Sequence, residues 1–276
     1  MTAKKALSRT LFWIGMALCF NAGVCFFMGK AKALEFLGGY VLEQSLSMDN
    51  LFMFIMIFTN FGINPKHQRR VLNYGILGAV ILRLIFIALG VTVINMFHPM
   101  LYVFGAILVI SGFKMTFDDE DEPGGKKGSV LFKLIKKIIP ITDIYRGDRF
   151  FIKKGGRRYA TPLFAVLILI ELTDIMFAID SLPAVFSITT DVFIAYSSNI
   201  FAILGLRNMY FLLEKTHERF RFVRYGVAFI LIFTGAKLLI LILDIAIPVE
   251  FSLIVMFSVL AISILLSLLF KGVKAV

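Results

Sequence analysis

The ten residues Val41–Asn50, VLEQSLSMDN, decide how this chain is read. On either side lie the apolar residues Phe36, Leu37 and Tyr40 and the run LFMFIMIF, Leu51–Phe58. Together they have the length and hydropathy of a helix that crosses a bilayer, which takes about 20 residues. Yet Glu43 and Asp49 sit inside that run. An isolated ionisable group facing lipid costs about 2.5–3.5 kcal/mol on insertion scales. Both carboxylates are therefore expected to face the interior of a helix bundle.

The rest of the chain fits a bundle in a membrane. Of its 276 residues 59% are hydrophobic and 17% charged, and the mean hydropathy is +0.88, well above an ordinary globular composition. The charges are clustered. Between the clusters lie eight apolar spans, at about 10–29, 35–59, 71–96, 98–117, 160–187, 192–213, 222–243 and 247–270. The reading is an all-α polytopic membrane protein. The first apolar run, Leu11–Met28, is long for a secretory leader and is taken as a retained span. Cys19 and Cys25, six apart in that run, match no metal or redox spacing and read as small apolar core residues.

The net charge of +11 reports topology rather than nucleic-acid binding. With eight spans, 23 of the 29 lysines and arginines fall on one side, and only Lys30 and Lys32 on the other. That bias places both termini in the cytoplasm of a multi-pass protein of the inner (plasma) membrane. The long loop 118–159 opens with DDEDEPGGKKG and continues as SVLFKLIKKII, a basic amphipathic segment expected to lie on the inner membrane surface.

The opening stretch has a partner. EQSLSMDN at 43–50 aligns with DIMFAIDS at 174–181, matching Glu43 to Asp174, Asp49 to Asp180 and Asn50 to Ser181. The segments around Arg83 and Arg207 align next, then those carrying Gly112-Phe113-Lys114 and Gly235-Ala236-Lys237. Three spans thus repeat, and an odd number forces the second copy to cross in the opposite sense, the plan of many secondary transporters. The organisation expected is 1–34, an N-terminal span; 35–117, the first three-helix repeat; 118–159, a cytoplasmic loop; 160–245, the second repeat; and 246–276, a last span and tail. Substrate sites in such proteins lie where the repeats meet, on interrupted helices. Gly38-Gly39 and Pro183 are candidate interruptions. On a straight helix Glu43 and Asp49 would point roughly 120° apart, so unwinding between them is expected if both serve one ion.

Spans two and five carry Glu43, Asp49, Glu171, Asp174 and Asp180. In one reading these acids only neutralise the charge-pairing bases Arg83, Arg207, Lys114 and Lys237. In the other, some are paired and some bind a cation. The available donors are hard oxygens, namely the acids, Asn50 and the hydroxyls of Ser47, Thr173 and Ser181, with no thiol or histidine in the spans that carry the acids. Such a set suits Mg²⁺, Ca²⁺ or Mn²⁺ over Zn²⁺ or Cu⁺. Arg83 and Arg207 keep their charge and are expected to hold carboxylates ionised or lock helices. Lys114 and Lys237 are expected to snorkel, Asn199 and Asn208 to bond helix to helix, and His67, His98 and His217 to be solvated. No nucleophile–base pair, phosphate loop or HExxH motif appears, so an enzyme has no site here, and no permanently bound cofactor is expected.

At GYVLEQSLSMDNLFMF and LILIELTDIMFAIDSLPAVFSIT, and on through RRVLNYGILGAVILR, SSNIFAILGLRNMYFLLE and FRFVRYGVAFILIFTGAKLL, the chain resembles the TerC family of integral membrane proteins. The resemblance covers nearly all of it from about residue 10. It implies tellurite resistance, manganese efflux or metal supply to exported enzymes, with metal bound by the acids of the two motifs, here Glu43, Asp49, Asn50, Glu171, Asp174 and Asp180. Many relatives carry an additional span ahead of the equivalent of Leu11. The expected function is export of a divalent cation, Mn²⁺ foremost, in exchange for protons. A membrane scaffold for tellurite resistance or metal delivery, and an amino-acid or anion exporter, are the alternatives. The expected partners are the divalent metal as substrate and the lipid bilayer, with a homo-oligomer or membrane partner left open.

Overall fold

The computed structural model describes residues 3–117, 141, 149–154, 157–213, 221–245 and 247–269. Eight long helices run through them: α1 (Ala3–Met28), α2 (Lys30–Asn60), α3 (Pro65–Met96), α4 (Met100–Phe117), α5 (Pro162–Phe186), α6 (Val192–Leu213), α7 (Arg221–Ile240) and α8 (Val249–Leu269). All but α2 are long and apolar enough by composition to cross a membrane. At 31 residues α2 also has the length, and it holds the carboxylates of the opening stretch. The boundaries follow local chemistry. Gly29, at φ 91°, separates α1 from α2, and Gly62, at φ 58°, turns the chain after α2. Asn64 caps α3 by accepting from the Lys66 amide, with Pro65 in the first turn. Pro162 opens α5 in the same way.

Loop 118–159 contains an element that the sequence reading lacks. Strands β1 (Phe151–Lys154) and β2 (Arg157–Ala160) form an antiparallel hairpin with Phe151 opposite Ala160. The signal was the Gly155-Gly156 dipeptide between two short runs, a strong hairpin marker. Thr161 ties the hairpin to α5 by donating its hydroxyl to the Arg149 carbonyl at 2.8 Å. Phe150 packs edge-on to Tyr74 of α3, with the Arg70 guanidinium 5.1 Å from the Phe150 ring. The segment SVLFKLIKKII lies outside the described residues.

Helices α2, α3, α5 and α6 surround the centre of the bundle. Segments that match in sequence meet in antiparallel fashion. Gly38 of α2 approaches Ile188, just past α5, while twelve residues on Asn50 reaches Asp174 of α5. Helices α4 and α7 cross through glycine. A Cβ on Gly105 would lie 2.9 Å from the Gly235 carbonyl oxygen, and one on Gly235 would lie 2.6 Å from that of Gly105. A Cβ on Gly112 would meet the Ala228 carbonyl at 2.8 Å. Such backbone approach is the small-residue packing of helices in lipid.

Two expectations about helix geometry are corrected here. Neither α2 nor α5 is interrupted. The pair Gly38-Gly39 packs rather than unwinds, since a Cβ on Gly39 would stand 2.7 Å from Ser198 Oγ of α6. Pro183 falls in the last turn of α5, where losing one amide donor does not break the helix. The cysteines are also corrected. Cys19 and Cys25 are both exposed and free, off the stripe of α1 that carries buried Ala17 and Val24. A thiol on a lipid-directed face costs little, so burial in protein is not required.

Candidate functional site: a graded carboxylate cluster

Arg83, on α3, is 1% exposed and is the largest fully buried side chain. Its Nη1 lies 2.6 Å from Glu43 Oε2 and donates to Asn199 Oδ1 of α6 at 2.6 Å. Its Nη2 stands 3.7 Å from Asp174 Oδ1 of α5. One guanidinium thereby joins four helices, which suits a planar, multi-donor group that never loses its charge. Asn199 does bond helix to helix, as its residue type suggests, and its amide also donates to the Ala195 carbonyl of its own helix.

The three described carboxylates are held to different degrees. Glu43 is wholly buried and takes both the Arg83 contact and the Ser47 hydroxyl, which donates to Oε1 at 2.9 Å. Asp174 is held loosely, by Arg83 at 3.7 Å and by the Asn50 amide at 3.5 Å. Glu171 has no base beside it among the described residues, and its buried Oε2 has no hydrogen-bond partner. Three carboxylates thus share one guanidinium. With all four ionised, two negative charges remain uncompensated in a setting of low dielectric.

A cavity opens at the loosely held end. It has a volume of about 30 Å³, against the roughly 10–15 Å³ that one water needs. Glu171, Asp174, Arg83 and Ser47 line it, among apolar residues of α2, α3, α5 and α6. Glu171 and Asp174 lie three apart on α5, the spacing that puts two side chains on one helix face. That face, rather than an unwound stretch of α2, brings acids to the cavity.

The predicted residues fare unevenly. Glu43, Asn50, Asp174 and Arg83 come together in one network, and Glu171 joins it through the cavity. Asp49, Asp180 and Arg207 belong to their helices by backbone, and their side chains lie outside the described residues. Thr173 does not line the cavity, and its hydroxyl donates to the Leu169 carbonyl of its own helix at 2.8 Å. Ser181 is buried with a partnerless Oγ and does not line the cavity. The expected pairing of acids with bases holds at Arg83 and is corrected at the two lysines. Lys114 is exposed near the end of α4, and Lys237 is buried and donates to Ser252 Oγ of α8 at 3.0 Å rather than to an acid. Sharing α8's hydroxyl spares Lys237 the need to reach water. Among the described residues no three His, Cys, Asp or Glu side chains gather closely enough to enclose a metal, because Arg83 stands between Glu43 and Asp174. Sequence reading missed Gly75 and Gly78 of α3, against which Glu171 lies. Their three-residue spacing was the available signal.

Comparison with known proteins agrees with this architecture. The model of the "Integral membrane protein TerC family" matches residues 28–275. The chain is 45% identical over 277 aligned positions to the protein of Escherichia coli (strain K12) named "Putative membrane-bound redox modulator Alx", covering 97% of this chain and 85% of that protein. It is 44% identical to the Salmonella typhi protein of the same name, with the same coverage. An uncharacterized membrane protein of Myxococcus xanthus is 43% identical, covering 96% of this chain and 83% of its own. No solved structure matches. This chain belongs to the TerC family of integral membrane proteins.

Proposed function

We propose that the protein exports a divalent metal cation, Mn²⁺ foremost, across the inner (plasma) membrane in exchange for protons, with both termini in the cytoplasm. One observation carries the reading: three carboxyl groups set against one guanidinium beside a cavity inside the bundle, a surplus of two negative charges when all of them are ionised. A divalent cation is the electrostatic complement of that surplus, and an all-oxygen setting favours a hard ion. In this scheme Glu171 and Asp174 receive the ion. Ser47 and retained waters complete its shell, and Glu43 holds Arg83 so that the guanidinium braces Asp174 without filling the cavity. An ion that keeps part of its hydration needs only one or two carboxylates from the protein. When the ion leaves, protons replace it on the same oxygens.

The inverted repeat is part of this proposal. Supporting it, the sequence-matched pairs α2/α5 and α4/α7 meet antiparallel. The contact of Gly112 with Ala228 also has its counterpart in that of Gly105 with Gly235 under the same pairing of positions.

The test is efflux from Mn²⁺-loaded proteoliposomes, comparing wild type with Glu171→Gln and Asp174→Asn. Both variants are expected to fall below about a tenth of wild-type flux, the order of effect that losing a charged ligand produces. Equal flux in all three overturns the transport role of these residues. A non-transporting scaffold is the second reading, favoured by the lack of a three-acid enclosure among the described residues. It predicts no flux even in wild type, and a partner that depends on loop 118–159.

A further inference from the structure

Glu171 lies across α3 where that helix has no side chains. A Cβ on Gly78 would fall 2.5 Å from both Cδ and Oε2 of Glu171 and closer still to Oε1. A Cβ on Gly75, one turn earlier, would meet Ile170 Cγ2 at 3.5 Å and Glu171 Oε1 at 3.7 Å, both ordinary contacts. The carboxylate therefore occupies the volume that any other residue at 78 would fill with its first carbon. The neighbouring Gly75, Ile76 and Ala79 line the cavity together with Glu171. Nothing in the cluster otherwise fixes this carboxylate: Oε2 is buried with no hydrogen-bond partner, and no base stands beside it among the described residues.

We infer that Gly78 is the positioning residue for Glu171, its missing side chain forming the seat that sets the carboxylate at the cavity wall, where a divalent cation would meet it. This rests on the transport reading above. Gly78 touches no ion itself. It acts by shape, and the shape matches a side chain of glutamate length. An added methyl at 78 displaces the carboxylate, because the methyl is fixed to the helix while the atoms it meets are the far end of the flexible Glu171 side chain. Shortening the acid by one methylene, as in Glu171→Asp, withdraws the carboxylate from that volume and makes room for the methyl.

The test is a double-mutant cycle on the full-length protein: wild type, Gly78→Ala, Glu171→Asp and the double variant, with Gly15→Ala in α1, where an added Cβ meets nothing within 4 Å among the described residues, as the control for an added methyl. Apparent melting temperature in detergent and Mn²⁺ uptake into proteoliposomes are both read. Gly78→Ala is expected to lower Mn²⁺ transport about tenfold, mainly by raising KM, and to lower the melting temperature, whereas Gly15→Ala stays close to wild type. In the Glu171→Asp background Gly78→Ala is expected to cost little in either measurement. If it costs the same fold in transport and the same shift in melting temperature in both backgrounds, or nothing in either, the seat is disproved. The melting cycle reads the pair even if wild type moves no Mn²⁺. In that case the transport reading fails, while coupling or additivity in melting still decides whether Gly78 seats Glu171.

Discussion

Acids meet a base at two places in this molecule, and the contrast between them separates a site from a surface. At the start of α2, Lys32 Nζ pairs with Glu35 Oε2 at 2.9 Å and Asp191 Oδ2 at 3.2 Å, and Thr189 donates to Glu35 at 2.6 Å. Around a third of the Lys32 side chain is open to solvent. Water and salt screen such a pair, and its worth is about 0–1 kcal/mol. In the bundle, Arg83 and Glu43 are 1% and 0% exposed. There the attraction is strong, but so is the cost of dehydration, and any group left without a partner pays it in full. The rim cluster comes close to satisfying all its members. The buried one gives Glu43 the Arg83 contact and the Ser47 hydroxyl, half satisfies Asp174 and, among the described residues, leaves Glu171 with neither a base nor a hydroxyl on its buried Oε2. On the proposed function, the incomplete end of the buried cluster is where the cation would bind.

The sharpest way to break this comparison is to remove its centre. Replacing Arg83 with Met leaves Glu43, Asp174 and the Asn199 carbonyl without their shared donor. Destabilisation of about 3–5 kcal/mol is expected, read as loss of monodisperse protein or of melting temperature in detergent. Arg83→Lys is not expected to restore it, because an ammonium cannot serve three helices as a planar fork does. If Arg83→Met melts like wild type, the buried cluster is no more than a second rim.

Next in size is the glycine crossing of α4 and α7, which tests whether the polar centre or the apolar flank holds the bundle. Gly112→Ala places a methyl 2.6 Å from Ile232 Cγ1 and 2.8 Å from the Ala228 carbonyl. A loss of about 1–3 kcal/mol is expected in the same melting assay. Glu171→Gln should behave in the opposite way. The oxygen has no protein partner to lose, so stability is expected to stay within about 1 kcal/mol of wild type or rise, while Mn²⁺ flux collapses. A variant that lost both together would make Glu171 a structural residue.

The smallest effect belongs to the rim. Asp191→Asn is expected to cost under about 1 kcal/mol. Burial works to raise the Asp191 pKa, but amide donation from Ile194, the Lys32 contact and the Phe193 amide outweigh it and hold the group below its ordinary 3.8. A depressed carboxylate contributes stability above its unfolded pKa and loses it as pH falls through the folded one. The melting curves of wild type and Asp191→Asn should therefore differ near neutrality and converge below about pH 4. Lys32 is shifted the other way, chiefly by hydrogen bonding to Glu35. Its contribution is present below pH 10.5 and fades as pH rises through the elevated folded value.

Apolar length between clusters of charge sufficed to place eight helices, because in lipid the backbone must satisfy itself within each segment and the hydropathy pattern records this directly. Sequence also counted Glu43, Asp174 and Arg83 among the five acids and four bases expected to pair inside the bundle, since buried charge in a membrane demands a partner. It could not say which acid the guanidinium would take. That choice depends on the rotation of four helices about their axes, to which hydropathy is blind. Nor did it show that α2 and α5 would run unbroken. Gly38-Gly39 and Pro183 read the same whether a glycine admits a neighbour or a kink, and whether a proline ends a helix or sits in its last turn. The tertiary structure alone decided that Glu43 is spent on Arg83 and that Glu171 lies free against Gly78, because only packing fixes which side chains find room and which find partners.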